Sequence, residues 1–411
     1  MKYFKRENYL APIRGFYHDA DMIKVITGIR RCGKSTLLEM IKDELLESGI
    51  PAAQIAHIKL DRRGFKNITT PDALEAAIDA VMDPARMNYL FIDEVQRVEG
   101  FEDVLNAYRE ERNYSIFITG SNSYLLSGEL ITKLTGRYLE FEMQTLTFDE
   151  YVRMKEAYGK PVDANLQAEL EEYILVGGFP HAVLLDTLED KRKYVEGVVA
   201  EIMEKDIRRR AKVRHLSVVE RVMGYILNNF AAPTSIKGIR DYFVNVEGLA
   251  ITEDTVARYI RILENAKVIS RCSRFDMKSR RALAGEQKYY LADLGIYFSR
   301  NTDNRINYGP VFENLVYNYA KSRGYTASVG RIGQLECAFI LRRHSFEYAY
   351  TQVAYTILAS KTTEDREYRP LELIHDNYPK YVLTADTLLQ RRSGIVHANI
   401  MEFMKDGKLF E

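Results

Sequence analysis

The run Gly28-Ile29-Arg30-Arg31-Cys32-Gly33-Lys34-Ser35-Thr36 constrains the fold of this chain more than any other stretch. It satisfies G-x-x-x-x-G-K-[ST], the pattern of a loop whose backbone N–H groups turn inward around phosphates. The flanks agree with that pattern. Met22-Ile23 and Val25-Ile26 bracket Lys24 and read as a short strand running into the first glycine. After Thr36, Leu37, Leu38, Ile41 and Leu45 recur at helical spacing. Strand, glycine turn and helix N-terminus in that order make an anion cradle, because the helix end presents unpaired N–H groups and the positive end of its dipole. Lys34 then reaches the β- and γ-phosphates, and Ser35 offers its hydroxyl to Mg²⁺. Residues Gly28 to Thr36 are the expected binding segment, with ATP and Mg²⁺ the expected ligands. The competing reading is a glycine turn that only caps a helix.

A second motif weakens that alternative. Tyr89-Leu90-Phe91-Ile92 reads as a buried parallel strand that delivers Asp93-Glu94 at its C-terminal end. Asp93 is expected to hold Mg²⁺ through water, and Glu94 to polarise the attacking water. Between the motifs lie a strand at Ile55–Leu60 and a helix from Pro71 to Met82. A helix around Phe101–Arg109 follows, then a strand from Ser115 that ends in Thr119-Gly120-Ser121-Asn122. An inserted strand with a polar tip, beside an Asp-Glu pair, marks the ATPase branch of P-loop folds. Thr119, Ser121 or Asn122 is placed to sense the γ-phosphate; capping of the next helix by Ser121 or Ser123 fits equally well.

Composition sets outer limits. A chain of 411 residues predicts two to three domains. Lys+Arg and Asp+Glu both number 58, and a net charge of zero argues against a protein that coats nucleic acid non-specifically. Cys32, Cys272 and Cys337 are scattered, without a CxxC pair, so neither a disulfide framework nor a zinc site is expected. No run approaches the ~18 apolar residues that cross a bilayer, and the N-terminus has no signal-peptide pattern. A soluble cytoplasmic protein with no membrane partner is the expectation.

The segments Val25-Ile-Thr-Gly-Ile-Arg-Arg-Cys-Gly-Lys-Ser-Thr36, Phe91-Ile-Asp-Glu-Val-Gln96 and Ile118-Thr-Gly-Ser-Asn-Ser-Tyr-Leu-Leu126 resemble the AAA-type ATPases of many bacteria and archaea. Members of that family carry a C-terminal domain of unknown function with a restriction-endonuclease-like fold. The resemblance continues through Leu134-Thr-Gly-Arg137, Phe148-Asp-Glu-Tyr151, Gly177-Gly-Phe-Pro180, Tyr289-Tyr-Leu-Ala-Asp-Leu-Gly295 and Phe312-Glu-Asn-Leu-Val-Tyr317, and so spans essentially the whole chain. It implies ATP binding and hydrolysis, with Arg137 as the arginine finger; Arg30 and Arg31 are rivals for that role. Whether Arg137 acts in its own subunit or a neighbour's is left open, and a homo-oligomer is compatible with either.

The expected architecture is α/β: a P-loop parallel-sheet core over residues 1–145, a helical lid over 146–214, a winged-helix-like module over 215–300 and a nuclease-like α/β domain over 301–411. The basic run Lys205–Arg214 reads as a solvated helix face or a nucleic-acid contact. In the winged helix, a helix capped by Thr252 carries Arg258 and Arg261, and a hairpin tip carries Lys278-Ser-Arg-Arg281. These residues would face double-stranded DNA in a DNA reader, whereas packing or protein contact is the alternative, since Glu253, Asp254 and Glu264 share the helix. In the C-terminal domain the resemblance implies a metal held by Asp and Asp/Glu-x-Lys, but Ala338, Gln352 and Ala354 stand at those positions, so a nuclease fold without catalysis is expected.

Overall fold

The computed structural model describes residues 3–83, 85–120, 134, 136–209, 213, 215–279, 281–283, 285–301, 305–343 and 347–411. The chain divides into two compact units, Met1–Met143 and Gln144–Glu411.

The first unit is built on a parallel five-stranded sheet in the order β2-β3-β4-β1-β5. Its strands are β1 (Ile23–Gly28), β2 (Ile55–Lys59), β3 (Asn88–Asp93), β4 (Tyr114–Thr119) and β5 (Tyr138–Met143). Every residue of β1, β3 and β4 is buried. These are the inner strands, covered on both faces, which is why they read as unbroken apolar runs and not as an alternation. Helices α1 (Glu7–Arg14), α2 (Lys34–Glu47), α3 (Pro71–Asp79) and α4 (Phe101–Glu110) complete the unit among the described residues. Thr70 caps α3 by accepting from the Ala73 N–H, with Pro71 at the first turn. One core joins Val25, Leu90, Ile92, Ile116 and Ile118 of the strands to Leu74, Phe101 and Leu105 of α3 and α4. Because β4 lies between β1 and β3, the C-terminal ends of all three strands open on the same sheet edge.

The second unit begins with helices α5 (Phe148–Ala157), α6 (Leu166–Val176) and α7 (Leu188–Glu201), the last continuing as π-helix through Ile202–Arg209. In the basic run, Lys205 pairs with Glu201 and both Arg208 and Arg209 pair with Glu204, so its described part is a solvated, self-neutralised helix face. Helices α8 (Leu216–Asn228), α9 (Ile236–Asn245) and α10 (Glu253–Asn265) follow, then the antiparallel pair β6 (Ile269–Cys272) and β9 (Lys288–Leu291). Three helices and an antiparallel pair stand where the winged-helix-like module is expected. Its tip differs from the expectation. Strands β7 (Arg274–Asp276) and β8 (Arg281–Ala282) form no free wing; they are the edge of an eight-stranded sheet, because β7 pairs in parallel with β10. The backbone of β10 would otherwise present an open edge, and the hairpin covers it.

That sheet runs β14-β15-β13-β12-β11-β10-β7-β8. It contains β10 (Thr326–Ile332), β11 (Leu335–Arg343), β12 (Glu347–Val353), β13 (Lys380–Thr384), β14 (Arg391–Arg392) and β15 (Ile395–Asn399), with helices α11 (Leu294–Arg300), α12 (Tyr308–Ser322), α13 (Lys361–Glu372) and α14 (Ile400–Lys405). Pairing is antiparallel from β10 to β12 and parallel from β12 through β13 to β15.

Several motifs that carry the resemblance are joints within this unit. The buried carboxylate of Asp293 caps α11 and accepts from the Gly178 and Gly295 N–H groups at 2.8 Å each; burial pushes its carboxyl up to about 6. A Cβ on Gly178 would lie 2.2 Å from the Leu146 carbonyl oxygen, so the close approach admits only glycine. Asp149 receives Arg323 at 2.8 Å, and the Asn314 amide exchanges hydrogen bonds with the Leu291 backbone at 2.7 and 3.0 Å.

Candidate nucleotide-binding site

The loop between β1 and α2 starts at Gly28, whose φ is +140°. A Cβ there would meet the Met143 carbonyl oxygen at 2.4 Å and the Cys32 sulfur at 2.9 Å, so a side chain would close the turn before it forms. Buried Ile29 and Cys32 anchor the loop from below, Arg30 is half-buried and Arg31 exposed. Gly33, at φ +111°, precedes the first turn of α2. There Lys34 is buried while Ser35 and Thr36 face solvent. The Lys34 ammonium lies inside the curl of the loop, donating to the carbonyls of Gly28 at 2.9 Å and Ile29 at 3.2 Å.

A residue outside the motif braces this loop. Arg6, at the start of α1 and almost wholly buried, donates from Nη1 to the Cys32 carbonyl at 3.1 Å and stacks 4.5 Å over the Tyr9 ring. Nothing in the sequence around Arg6 distinguishes it from the other basic residues of the N-terminus.

The acid pair arrives from β3. Thr119, at the tip of the neighbouring β4, donates its hydroxyl to Asp93 and accepts from the Glu94 N–H at 3.2 Å. The Ser35 hydroxyl lies near enough to Asp93 to favour its carboxylate. Burial pushes the Asp93 carboxyl up, against the lowering effect of the Thr119 and Ser35 hydroxyls. Glu94 takes φ +60°, a left-handed conformation costly for a residue with a side chain, and its carboxylate receives the Gln96 amide. Gln96 closes the Phe91–Gln96 segment that carries the resemblance, but the sequence assigns it no role. Lys34, Ser35, Asp93, Glu94 and Thr119 therefore share one sheet edge, with the start of the P-loop helix near the aspartate.

The donor set fits Mg²⁺. A hydroxyl and a carboxylate near each other are hard oxygen ligands, and a Mg²⁺ held by one or two protein oxygens completes its shell with phosphate and water. Among the described residues no group of three or more His, Cys, Asp or Glu could hold a metal without such help.

Two other expected residues remain, Ser121 and Arg137. Ser121, with Asn122 and Ser123, lies outside the described residues. Arg137 is exposed and immediately precedes β5, which runs parallel to β1 with Tyr138 opposite Ile23 and Met143 opposite Gly28. At about 3.3 Å per residue, its backbone is roughly 20 Å of strand from the loop, on the opposite sheet edge. Strand direction thus sets Arg137 at the far end of β5 from the loop.

Sheet order, glycine loop and acid pair define a P-loop protein of the AAA type. A family profile described as an AAA domain matches residues 20–152, and a second, described as a domain of unknown function, matches 167–304. A protein of Haemophilus influenzae described as uncharacterized is 33% identical over 382 residues, 92% of each chain. A second uncharacterized protein, from Methanocaldococcus jannaschii, is 27% identical over 373 residues, 85% of this chain and 78% of its own. A Walker-type ATPase of Pyrococcus abyssi superposes with a TM-score of 0.52 at 17% identity, over 72% of this chain and 95% of that one; at that identity it speaks for the fold alone. The chain belongs to the AAA-type P-loop ATPase family that it shares with the Haemophilus protein. Among the described residues no helix is long and apolar enough to cross a membrane.

Proposed function

We propose that this protein binds ATP with Mg²⁺ in its N-terminal unit and hydrolyses it, coupling nucleotide state to partner engagement through its C-terminal modules. The observation that supports this reading is that the loop-held Lys34 ammonium, Ser35 at the start of α2 and Asp93 at the end of β3 meet at one sheet edge, with Ser35 near the aspartate. In it the backbone of Gly28–Thr36 cradles the phosphates, Lys34 holds the β- and γ-phosphates, and Ser35 and Asp93 hold the metal, which neutralises phosphate charge when bound. Glu94 accepts a proton from the attacking water, with Gln96 and Thr119 fixing its position. Arg137, placed away from its own site, serves as a finger only towards a neighbouring copy. The modules at 146–214, 215–300 and 301–411 take the roles of lid, winged helix and non-cleaving nuclease-like fold.

Removal of the ammonium by Lys34→Ala should abolish nucleotide binding. Glu94→Gln should bind ATP as the wild type does and lose turnover by roughly 10²–10⁴-fold, the range of a general base. Equal loss of binding and turnover in the glutamate variant would refute its assigned role. For the coupling, an ATP analogue with Mg²⁺ should alter the protease sensitivity of residues 200–411, and unchanged digestion would remove that part of the reading.

A protein partner is favoured over duplex DNA by the ion pairing of the winged-helix module. Arg221, Arg240, Arg271 and Arg274 are all matched by acids of the same unit, while Tyr242, Val244 and Val246 are exposed near the end of α9.

A further inference from the structure

The second unit holds a charge centre that nucleotide chemistry does not use. Lys288, the first residue of β9, is 4% exposed. Its ammonium lies 2.9 Å from Glu313 of α12 and 2.9 Å from Glu336 of β11. Tyr290, on the same face of β9, donates its hydroxyl to the Glu313 oxygen that Lys288 contacts, also at 2.9 Å. Arg274 reaches the other oxygen of Glu336 at 3.4 Å. On β12, Gln352 accepts from the Ala338 N–H at 2.5 Å and donates to Glu367 at 3.2 Å. Burial opposes the charge on Lys288, but the two carboxylates outweigh it, and its pKa is raised.

A nuclease-like reading of this sheet implies a divalent metal, and these residues do not fit one. Ala338, Gln352 and Ala354 supply neither a carboxylate nor a lysine where the chemistry would need them. Glu313 and Glu336 already share an ammonium, and Glu367, the third acid of the centre, receives the Gln352 amide and Arg366; a divalent ion brought between Glu313 and Glu336 would face the ammonium's positive charge at contact distance. The ammonium also gives each carboxylate a directional donor, which is what makes burial of the group tolerable.

We infer that Lys288 is the resident cation of this centre: its ammonium holds Glu313 and Glu336 together in place of a divalent metal, ties β9 to α12 and β11, and excludes metal from the site. The part that concerns metal rests on the nuclease-like reading of residues 301–411; the tie between the three elements does not.

Mn²⁺ titration and thermal melting of the full-length, nucleotide-free protein test it. Any Mn²⁺ bound at the P-loop is common to all variants, so differences report on this centre. Glu313→Gln and Glu336→Gln keep the ammonium and should bind Mn²⁺ as the wild type does. Lys288→Met should melt at a lower temperature in EDTA, bind one additional Mn²⁺ and regain melting temperature with it. The added site should vanish in Lys288→Met/Glu313→Gln. Weaker Mn²⁺ binding by either glutamine variant would overturn the inference by showing a metal site already present, a result that stands even if Lys288→Met does not fold. A Lys288→Met protein that melts like the wild type would overturn the tie. One that is destabilised but gains no Mn²⁺ would overturn the metal replacement, and the nuclease-like reading with it.

Discussion

Lys24 is the residue whose charge the first unit accommodates least easily. It is the second residue of β1 and has no exposed surface, its ammonium donating to the Asp19 carbonyl and, at 2.9 Å, to the Ser115 hydroxyl, 4.6 Å above the Phe117 ring. None of these partners carries a full negative charge, and burial pulls its pKa down from 10.5 to about 7. The unfolded chain therefore holds this proton up to a higher pH than the folded one. Stability should rise with pH between about 7 and 10.5, approaching about 1.4 kcal/mol per pH unit, and be flat below that window as far as this group is concerned. Urea melts of wild type and Lys24→Met across that range check it: the difference between the two curves should carry the slope, and parallel curves would refute the assignment. The same scale shows which part of this cluster is legible in the sequence. Lys34, Ser35, Asp93 and Glu94 lie in contiguous motifs, and the ends of β3 and α2 bring them to one sheet edge. Arg6 reaches the site by tertiary packing and leaves no trace in the sequence, whereas Gln96 lies inside a recognised segment and only its hydrogen bond to Glu94 gives it a role.

Elements are held together by close backbone approaches, and two glycines in the same unit separate that cause from conformational freedom. At Gly178 a new methyl would meet the Leu146 carbonyl oxygen at 2.2 Å, a backbone atom that cannot rotate away. Gly178→Ala should cost about 3 kcal/mol or more and loosen the joint between the end of α6 and Asp293. Gly197, exposed in the middle of α7, has nothing within 4 Å of its Cβ position. Gly197→Ala should stabilise by about 0.5–1 kcal/mol, since alanine is the better helix former. Chemical denaturation of the two variants measures both, and a shared sign would mean that backbone packing at Gly178 is not the constraint. The Gly-Gly-Phe-Pro and Leu-Ala-Asp-Leu-Gly segments stood out in the sequence without a reason attached, because the reason is a contact between residues 178 and 293. The hairpin tip was misplaced for a related cause. The basic run at 278–281 marks a tip but carries no information about which sheet edge will accept the strands beside it.

At the scale of the whole molecule, charge decides which class of partner is reachable. The chain has 58 basic and 58 acidic residues, and within residues 216–291 Arg221, Arg240, Arg271 and Arg274 are engaged by internal acids, Arg271 by Glu264 of α10, the helix that a winged-helix DNA reader would insert. Binding to a duplex by phosphate neutralisation needs several uncompensated cations on one face, and it weakens steeply with salt as counterions are released. Here Arg258 and Arg261 are exposed on α10, but Glu253 and Asp254 occupy its first turn, where their charge meets any approaching phosphate backbone. Plain duplex DNA should therefore neither shift in a gel at low or physiological salt nor change the rate of phosphate release. The opposite outcome is equally specific. Retarded duplex whose affinity falls with salt, and falls again when Arg258, Arg261 and Lys278 are neutralised, would make the module a nucleic-acid contact, and the ion pairs of Arg240 and Arg271 would then have to open on binding.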